Sequence, residues 1–427
     1  MASYNPNIPV RGNPFLDIPS DMDSNPFHWV WEDLCSVPRL ANLIPRIILP
    51  LGPFLSGKLD ELYPSPPNLR ALALQVFLFI SQILLLFSLP VGLLALWALP
   101  FVAHAAFYAA FAVITSIVVR LLNGPPSRRS LIGVPKTRPP VNDESELWFF
   151  INGIATGDHW HQSNLDALAE NFGREIVGIH NPTKGIILDL VECLIQRDLD
   201  YKTVAIRQGR AHLRAALAAP ATKKVVLIAH SQGGIIAASI IDWLFGELSY
   251  AQMQKLEVYT FGNAARQFRN PPMFEDPRIH GGRDLDHGER TGTKETPQPR
   301  RQDHGERVLR YIEHYANTKD FVANIGVLQF TTPVAAYSSE SLFSGSLFVR
   351  QGSGHLFNMH YLDPMFGEGS AFMKSIVEAP EEGGLENITL KPVGELSRLY
   401  QYRNGESPEE SGGVGAEHAK GLGYDGL

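Results

Sequence analysis

The residue types best suited to chemistry meet at one point of the chain. The apolar run KVVLIA, residues 224–229, leads into His230, Ser231, Gln232 and two glycines, and the apolar stretch IIAASIIDWL follows at once. A short apolar run followed by a longer one predicts strand, turn and helix. In so sharp a turn the residues two before and two after the serine close on each other. Only very small side chains fit there, and Ala229 and Gly233 stand at those positions. The turn would hold Ser231 at the carboxyl edge of a sheet. It would also point the Gln232 N–H, at the start of the helix, toward a developing negative charge. A serine so placed becomes a nucleophile once a base takes its proton. That reading requires its hydroxyl to be accessible and to stand beside an imidazole. A glycine-rich turn with an incidental serine is the plain alternative.

The elements that must position this turn are legible from Leu147 onward. LWFFING, EIVGIHN, KVVLIAH, KLEVYTFGN, VLRYIEHYA and SLFVRQG read as strands. HQSNLDALAENFG, IILDLVECLIQ, TVAIRQGRAHLRAALAA and GGIIAASIIDWLFGEL read as the helices between them. Such alternation predicts βαβ units and a mostly parallel sheet, an α/β fold. Residues 266–306, rich in Arg, Asp, Gly, His and Pro, interrupt the order. They carry DHGER at 286–290 and again at 303–307, and read as a disordered insertion whose His, Asp and Glu spacing matches no metal site. The expected organisation is a Pro/Asn-rich, partly disordered leader at 1–70, membrane helices at 71–122, a Pro-rich linker at 123–145, the α/β domain at 146–380 and a disordered tail at 381–427.

The membrane reading rests on residues 71–119, which contain no charged side chain and are bounded by Arg70 and Arg120. A spanning helix needs roughly 20 apolar residues, so the run has room for two. Pro90, Gly92 and Pro100 are natural places for a break. Two arrangements fit: a helical hairpin, or one span plus a buried or interfacial helix. Arg120, Arg128, Arg129, Lys136 and Arg138 follow closely, and the positive-inside rule puts that flank, and the domain after it, in the cytosol. The endoplasmic reticulum or a lipid droplet is the expected membrane. His104 reads as a neutral interfacial histidine. With a net charge of −7, nothing suggests a nucleic-acid partner, and none is expected. Cys35 and Cys193 form neither a disulfide framework nor a metal pair. The N-terminus has no basic region followed by an apolar core, so no cleaved secretory signal is expected.

With the strand, the Ala-His-Ser-Gln-Gly turn and the helix in view, the stretch from about 147 to 365 resembles the α/β-hydrolase superfamily, especially its lipase-like serine esterases. The resemblance covers roughly half of the chain, and Ala229 stands where the usual motif has glycine. It implies a parallel sheet with helices on both faces and the chain order Ser, acid, His. On that order Asp320, in the loop after VLRYIEHYANTK, is the acid that would hold the imidazole; the plain alternative is a helix N-cap. His355, after Gly-Ser-Gly and the last strand, is preferred as the base over His360. Were both on one helix their directions would differ by about 140°. The family pattern places the second oxyanion donor after the first strand, at the backbone N–H of Gly153 or Ile154, beside Gln232. His159, His161 and His180 lie at the same edge, as pocket lining or as hydrogen-bonded loop structure.

The chemistry so implied is cleavage of a carboxylic ester through an acyl-enzyme, with no metal or organic cofactor. A lipid acyl ester is the expected substrate, since the anchor keeps the site beside a water-insoluble molecule. Acyl transfer or thioester hydrolysis would use the same groups. A catalytically inactive scaffold on a membrane or lipid droplet is the alternative from another class.

Overall fold

The computed structural model describes residues 2–5, 26–52, 54–95, 100–125, 130–141, 143–273, 307–331, 343–381 and 384–408. An eight-stranded sheet runs in the order β1-β8-β7-β6-β5-β3-β4-β2. Its strands are β1 Ala2–Asn5, β2 Ile132–Gly133, β3 Glu146–Ile151, β4 Ile176–Ile179, β5 Lys224–His230, β6 Leu256–Phe261, β7 Tyr311–Lys319 and β8 Ser346–Ser353. The strands β3 to β8 pair in parallel. The edges β1 and β2 are antiparallel to their neighbours. The expected α/β architecture with a mostly parallel sheet is therefore present. The linker expected at 123–145 is partly sheet, because it contains β2.

The helices are α1 Pro26–Arg39, α2 Pro66–Ala95, α3 Phe101–Asn123, α4 Asp158–Phe172, α5 Ile186–Leu199, α6 Val204–Ala218 and α7 Gln232–Phe245. Successive strand residues point to opposite faces, and both faces of the central strands are covered. Phe149, Ile151, Val225, Leu227 and Ala229 share one core with Leu213 of α6 and Ile236 and Ile240 of α7. Trp148, Phe150, Val226 and Ile228 share the other with Leu165, Leu168 and Phe172 of α4 and with Phe357 and Tyr361. That two-sided burial is why these strands read as unbroken apolar runs rather than alternating ones.

Two domain boundaries need correction. The folded part does not stop at 380: β9 Ile376–Glu381 pairs with β10 Gly384–Pro392, and Val393, Leu399 and Tyr402 are fully buried against the sheet. Arg398 reaches Glu257 of β6 at 2.8 Å, and Arg174 donates to the carbonyls of Tyr402 and Glu406. The Glu- and Gly-rich average of the tail conceals this apolar stretch. The insertion also starts later than 266. Phe268 is buried and bridges Phe343, and Asn270 exchanges hydrogen bonds with Leu309. Residues 274–306 and 409–427 lie outside the described residues, and so does the first DHGER repeat.

The apolar run forms two helices. Tyr108 donates to the Ser88 carbonyl at 3.0 Å, and Leu78 packs with Val118 and Leu122. Contacts that fall in one helix as they rise in the other make the pair antiparallel, a hairpin. Pro90 lies within α2, and Pro100 opens α3. Gly92 is needed where it stands, because a Cβ there would lie 2.4 Å from the Tyr108 hydroxyl.

The leader is docked on the α/β domain. Asp33 of α1 pairs with Arg197 (3.2 Å) and Arg266 (3.2 Å). The carbonyls of Ile47 and Leu49 accept from the His355 N–H and the Ser353 hydroxyl, each at 2.9 Å. Glu61 accepts from the N–H groups of Asn358 (2.9 Å) and Met359 (3.2 Å). Ser56 bonds Asp363 through both its N–H and its hydroxyl. Burial and the neighbouring Asp363 raise the Asp60 carboxyl far above its ordinary range.

Burial also pushes the Glu61 carboxyl from an ordinary 4.5 up to about 7, outweighing the backbone N–H groups of Asn358, Glu61 itself and Met359 that pull it down. A folded value above the unfolded one means that the protonated acid favours docking. Its contribution is whole below the ordinary value and is lost as pH rises through the folded one. Hydrogen exchange in residues 47–59, corrected for the intrinsic rate, is expected to accelerate from about pH 5 to about pH 8. Glu61→Gln is expected to flatten that rise, and an equally steep rise in the variant would contradict it.

Candidate active site

Ser231 sits between β5 and α7 with φ 58° and ψ −122°. Side-chain-bearing residues avoid that backbone, and it persists only where neighbours over-determine it. Here the Ser231 N–H donates to the Phe261 carbonyl (3.0 Å), and the Ser231 carbonyl accepts from Gly234 (2.9 Å) and Ala264 (3.3 Å). Gly233 is required for a reason the sequence did not reveal. A Cβ there would lie 2.4 Å from the carbonyl oxygen of Ile151, at the end of β3.

Gly153 follows the same strand and abuts the serine. A Cβ at 153 would lie 2.5 Å from Ser231 Cβ and 3.0 Å from Ser231 Oγ. The next residue, Ile154, makes no backbone N–H hydrogen bond among the described residues. Gln232 opens α7, so its N–H has no carbonyl one turn earlier to bond. Its side chain is fixed by Gln196 (2.9 Å) and Asn181 (2.6 Å). Gly153 thus abuts the serine from the β3 side and Gln232 follows it in sequence, and the Ile154 and Gln232 N–H groups have no backbone acceptor among the described residues.

Asp320 and His355 come together. His355 Nδ1 lies 2.7 Å from Asp320 Oδ2, with both side chains buried. With the Nδ1 proton donated, Nε2 keeps a lone pair. That atom is buried and has no hydrogen-bond partner among the described residues. Asp320 makes a second contact besides the imidazole: its other oxygen caps the short helix Phe321–Ile325 by accepting from the Val322 N–H at 2.8 Å. The pair reaches the serine's neighbourhood at Gly262 (φ +52°), just past the Phe261 carbonyl that Ser231 bonds. A Cβ there would lie 2.9 Å from Asp320 Oδ2, 2.9 Å from the Tyr361 hydroxyl and 3.0 Å from His355 Cε1.

His360 is placed differently. It lies in a π-helical turn, Phe357–Leu362, that begins after His355. Its Nδ1 accepts from the Leu356 N–H (3.1 Å) and its Nε2 donates to the Pro50 carbonyl (2.8 Å). Both nitrogens are engaged, which leaves neither for a serine proton. His159 is bonded to Asn68 (2.8 Å). His161 stacks on His180 at 4.9 Å, and His180 contacts the Thr156 carbonyl at 3.2 Å. His159 and His161 thus lie in the first turn of α4, not in a loop, and His180 follows the end of β4.

The sequence did not single out three contributors. His230 donates from Nε2 to the His355 carbonyl at 2.8 Å, its ring 4.7 Å from that of His355. Burial, then the neighbouring His355, holds His230 well below the ordinary imidazole range, so it is a neutral prop. Tyr361 donates to Asp320 Oδ2 at 2.5 Å. Asp189 of α5 grips the loop after β3 through the Ala155 N–H at 2.9 Å. Only His230 carried a signal, as the residue next to the serine. Ser231 is just 3% exposed as a residue, but its hydroxyl is not among the sealed, unpartnered side-chain atoms, and because His355 Nε2 has no hydrogen-bond partner among the described residues, none joins it to the serine in this conformation.

Comparisons with protein-family models, with characterised proteins and with solved structures find no match to this chain.

Crowding at Gly262 can be separated from backbone strain by a pair of substitutions. Gly369 has φ +73° and open space around it, so Gly369→Ala is expected to cost about 1–2 kcal/mol for the left-handed backbone alone. Gly262→Ala carries that cost plus about 1–3 kcal/mol for displaced side chains. Thermal unfolding midpoints are the measurement, and equal losses would show that His355, Asp320 and Tyr361 are not packed on this point.

Proposed function

We propose that the chain is a membrane-anchored serine ester hydrolase of the α/β-hydrolase type, acting on a lipid acyl ester. The observation that carries the reading is the Asp320–His355 contact of 2.7 Å, with His355 Nε2 unpartnered and its ring packed at Gly262, the residue after the Phe261 carbonyl that accepts from the Ser231 N–H. In this reading His355 Nε2 takes the proton from Ser231 Oγ, which attacks the ester carbonyl. The N–H groups of Gln232 and Ile154 receive the tetrahedral oxyanion. His355 then returns the proton to the departing alcohol, and water attacks the acyl-serine by the same route. Asp320 keeps the imidazole in its tautomer and balances its charge. Every step uses side chains and backbone of this chain.

The two apolar helices support membrane association. A hairpin entering from one side fits them best. Gln82 bonds the Lys184 carbonyl and the Ile187 N–H of the α/β domain. From there to Ala95 the helix rises about 20 Å, short of the roughly 30 Å of a bilayer core. Both ends of the hairpin then stay on one side; the basic flank favours a domain in the cytosol, and the endoplasmic reticulum or a lipid droplet is the membrane this reading assigns.

The leader extends the same surface. Ile44, Ile48, Leu49, Leu51 and Leu55 are exposed, beside carbonyls that bond the His355 loop. A membrane that draws in those side chains would also shift the leader segment bonded to His355, widening substrate access to the serine.

Hydrolysis of diacylglycerol in vesicles bearing the full chain tests the reading. Ser231→Ala and His355→Ala are expected to lower turnover by at least about 10³, with Asp320→Asn about 10³–10⁴ down. His360→Ala is expected to stay within about tenfold, as for a residue outside the proton route. Equal losses at the two histidines, or undiminished turnover in Ser231→Ala, would overturn it.

A further inference from the structure

Two glutamines interrupt the apolar surface of α2. Gln75 and Gln82 stand two helical turns apart and so share a face; both are buried, at 2% and 4% exposure. Their bonding differs. Gln82 is satisfied at both ends, donating to the Lys184 carbonyl at 2.6 Å and accepting from the Ile187 N–H at 3.0 Å. That suffices to dock the helix. Gln75 makes one bond, from Nε2 to the Ala155 carbonyl at 2.9 Å, and its Oε1 is buried without a partner. An unmet buried acceptor disfavours folding. A leucine would suit this apolar helix better, so stability alone does not account for an amide at this position.

The carbonyl it reaches belongs to an unusual residue. Ala155 has φ +54°, a backbone that alanine holds only under constraint. Two groups supply that constraint from opposite sides. Asp189 Oδ2 accepts the Ala155 N–H at 2.9 Å, and Gln75 donates to the Ala155 carbonyl. The residue just before is Ile154, and the one before that is Gly153, pressed against Ser231. The peptide groups following Ile154 are therefore clamped between α5 and the membrane hairpin.

We infer that Gln75 is a positioning residue: through Ala155 it fixes the loop that aims the Ile154 N–H at the oxyanion above Ser231. The membrane hairpin is then part of the catalytic apparatus as well as its tether. The inference rests on the serine-hydrolase reading above and adds that α2 contributes to transition-state stabilisation.

A positioning role leaves a kinetic signature that a structural one does not. Gln75→Met keeps length and volume and loses the donor. In the full chain, reconstituted in phosphatidylcholine vesicles with diacylglycerol, kcat is expected to fall about tenfold while KM stays within about twofold. Tyr108→Phe removes a different hydrogen bond of the same hairpin, at its far end, and is expected to leave both constants within about twofold. Thermal unfolding of each variant reports whether it is folded. Should Gln75→Met fail to fold, Gln75→Asn, whose amide falls one methylene short of Ala155, carries the same test. A wild-type kcat in a folded Gln75 variant, a change in KM alone, or equal losses in the Tyr108 variant would overturn the inference. A wild-type chain without turnover would remove the hydrolase reading itself, and the inference with it.

Discussion

The bend at Ser231 is the constraint on which the rest of the structure turns. An L-residue enters that region of backbone space only when its surroundings leave no alternative. Here β6 supplies the acceptor for its N–H, and the residues after β6 and within α7 donate to its carbonyl. Those partners exist only if β5 and β6 pair in register and α7 packs back across β3, where Gly233 lies against the Ile151 carbonyl. The two apolar cores that fix strands and helices are thus also what hold one hydroxyl in place. Burial of Val226, Leu227 and Ile228 on both faces leaves that local geometry no freedom to relax.

A second layer is electrostatic. Asp320 is shared by an imidazole, a phenol and a helix N-terminus. Three donors around one carboxylate make its burial tolerable and fix its direction. The imidazole is fixed in turn at its backbone, its N–H bonded to Ile47 and its carbonyl to His230. Leader, sheet and C-terminal elements therefore converge on His355, although they are far apart in sequence. The two apolar helices join through Gln75, which bonds the Ala155 carbonyl in the loop after β3.

What could be read from the sequence was what local pattern controls. The strand, turn and helix around Ser231 follow from apolar run length and two small residues, and the hairpin follows from a long uncharged run. Asp320 and His355 were legible as loop positions, though their contact was not. His360 differs from His355 in contacts that the sequence does not display, since Pro50 and Leu356 occupy both its nitrogens. Tyr361 had no sequence signal, because its partner comes from a loop 41 residues away. The tail was misread because composition averages over a window, and the Glu- and Gly-rich neighbours of Leu399 and Tyr402 hid their burial. Gln75 and Gln82 did leave a trace: two amides at helical spacing in an otherwise apolar run mark a face turned to protein rather than lipid.

The central claim is that a strained, largely buried serine is nucleophilic. The most direct measurement is the site of covalent modification when the bilayer-reconstituted full chain reacts with a fluorophosphonate and its peptides are mapped by mass spectrometry. The account predicts a single adduct, on the peptide that contains Ser231, formed by the folded chain and absent after heat denaturation. An adduct on another residue, or none on a chain shown to be folded, would contradict it.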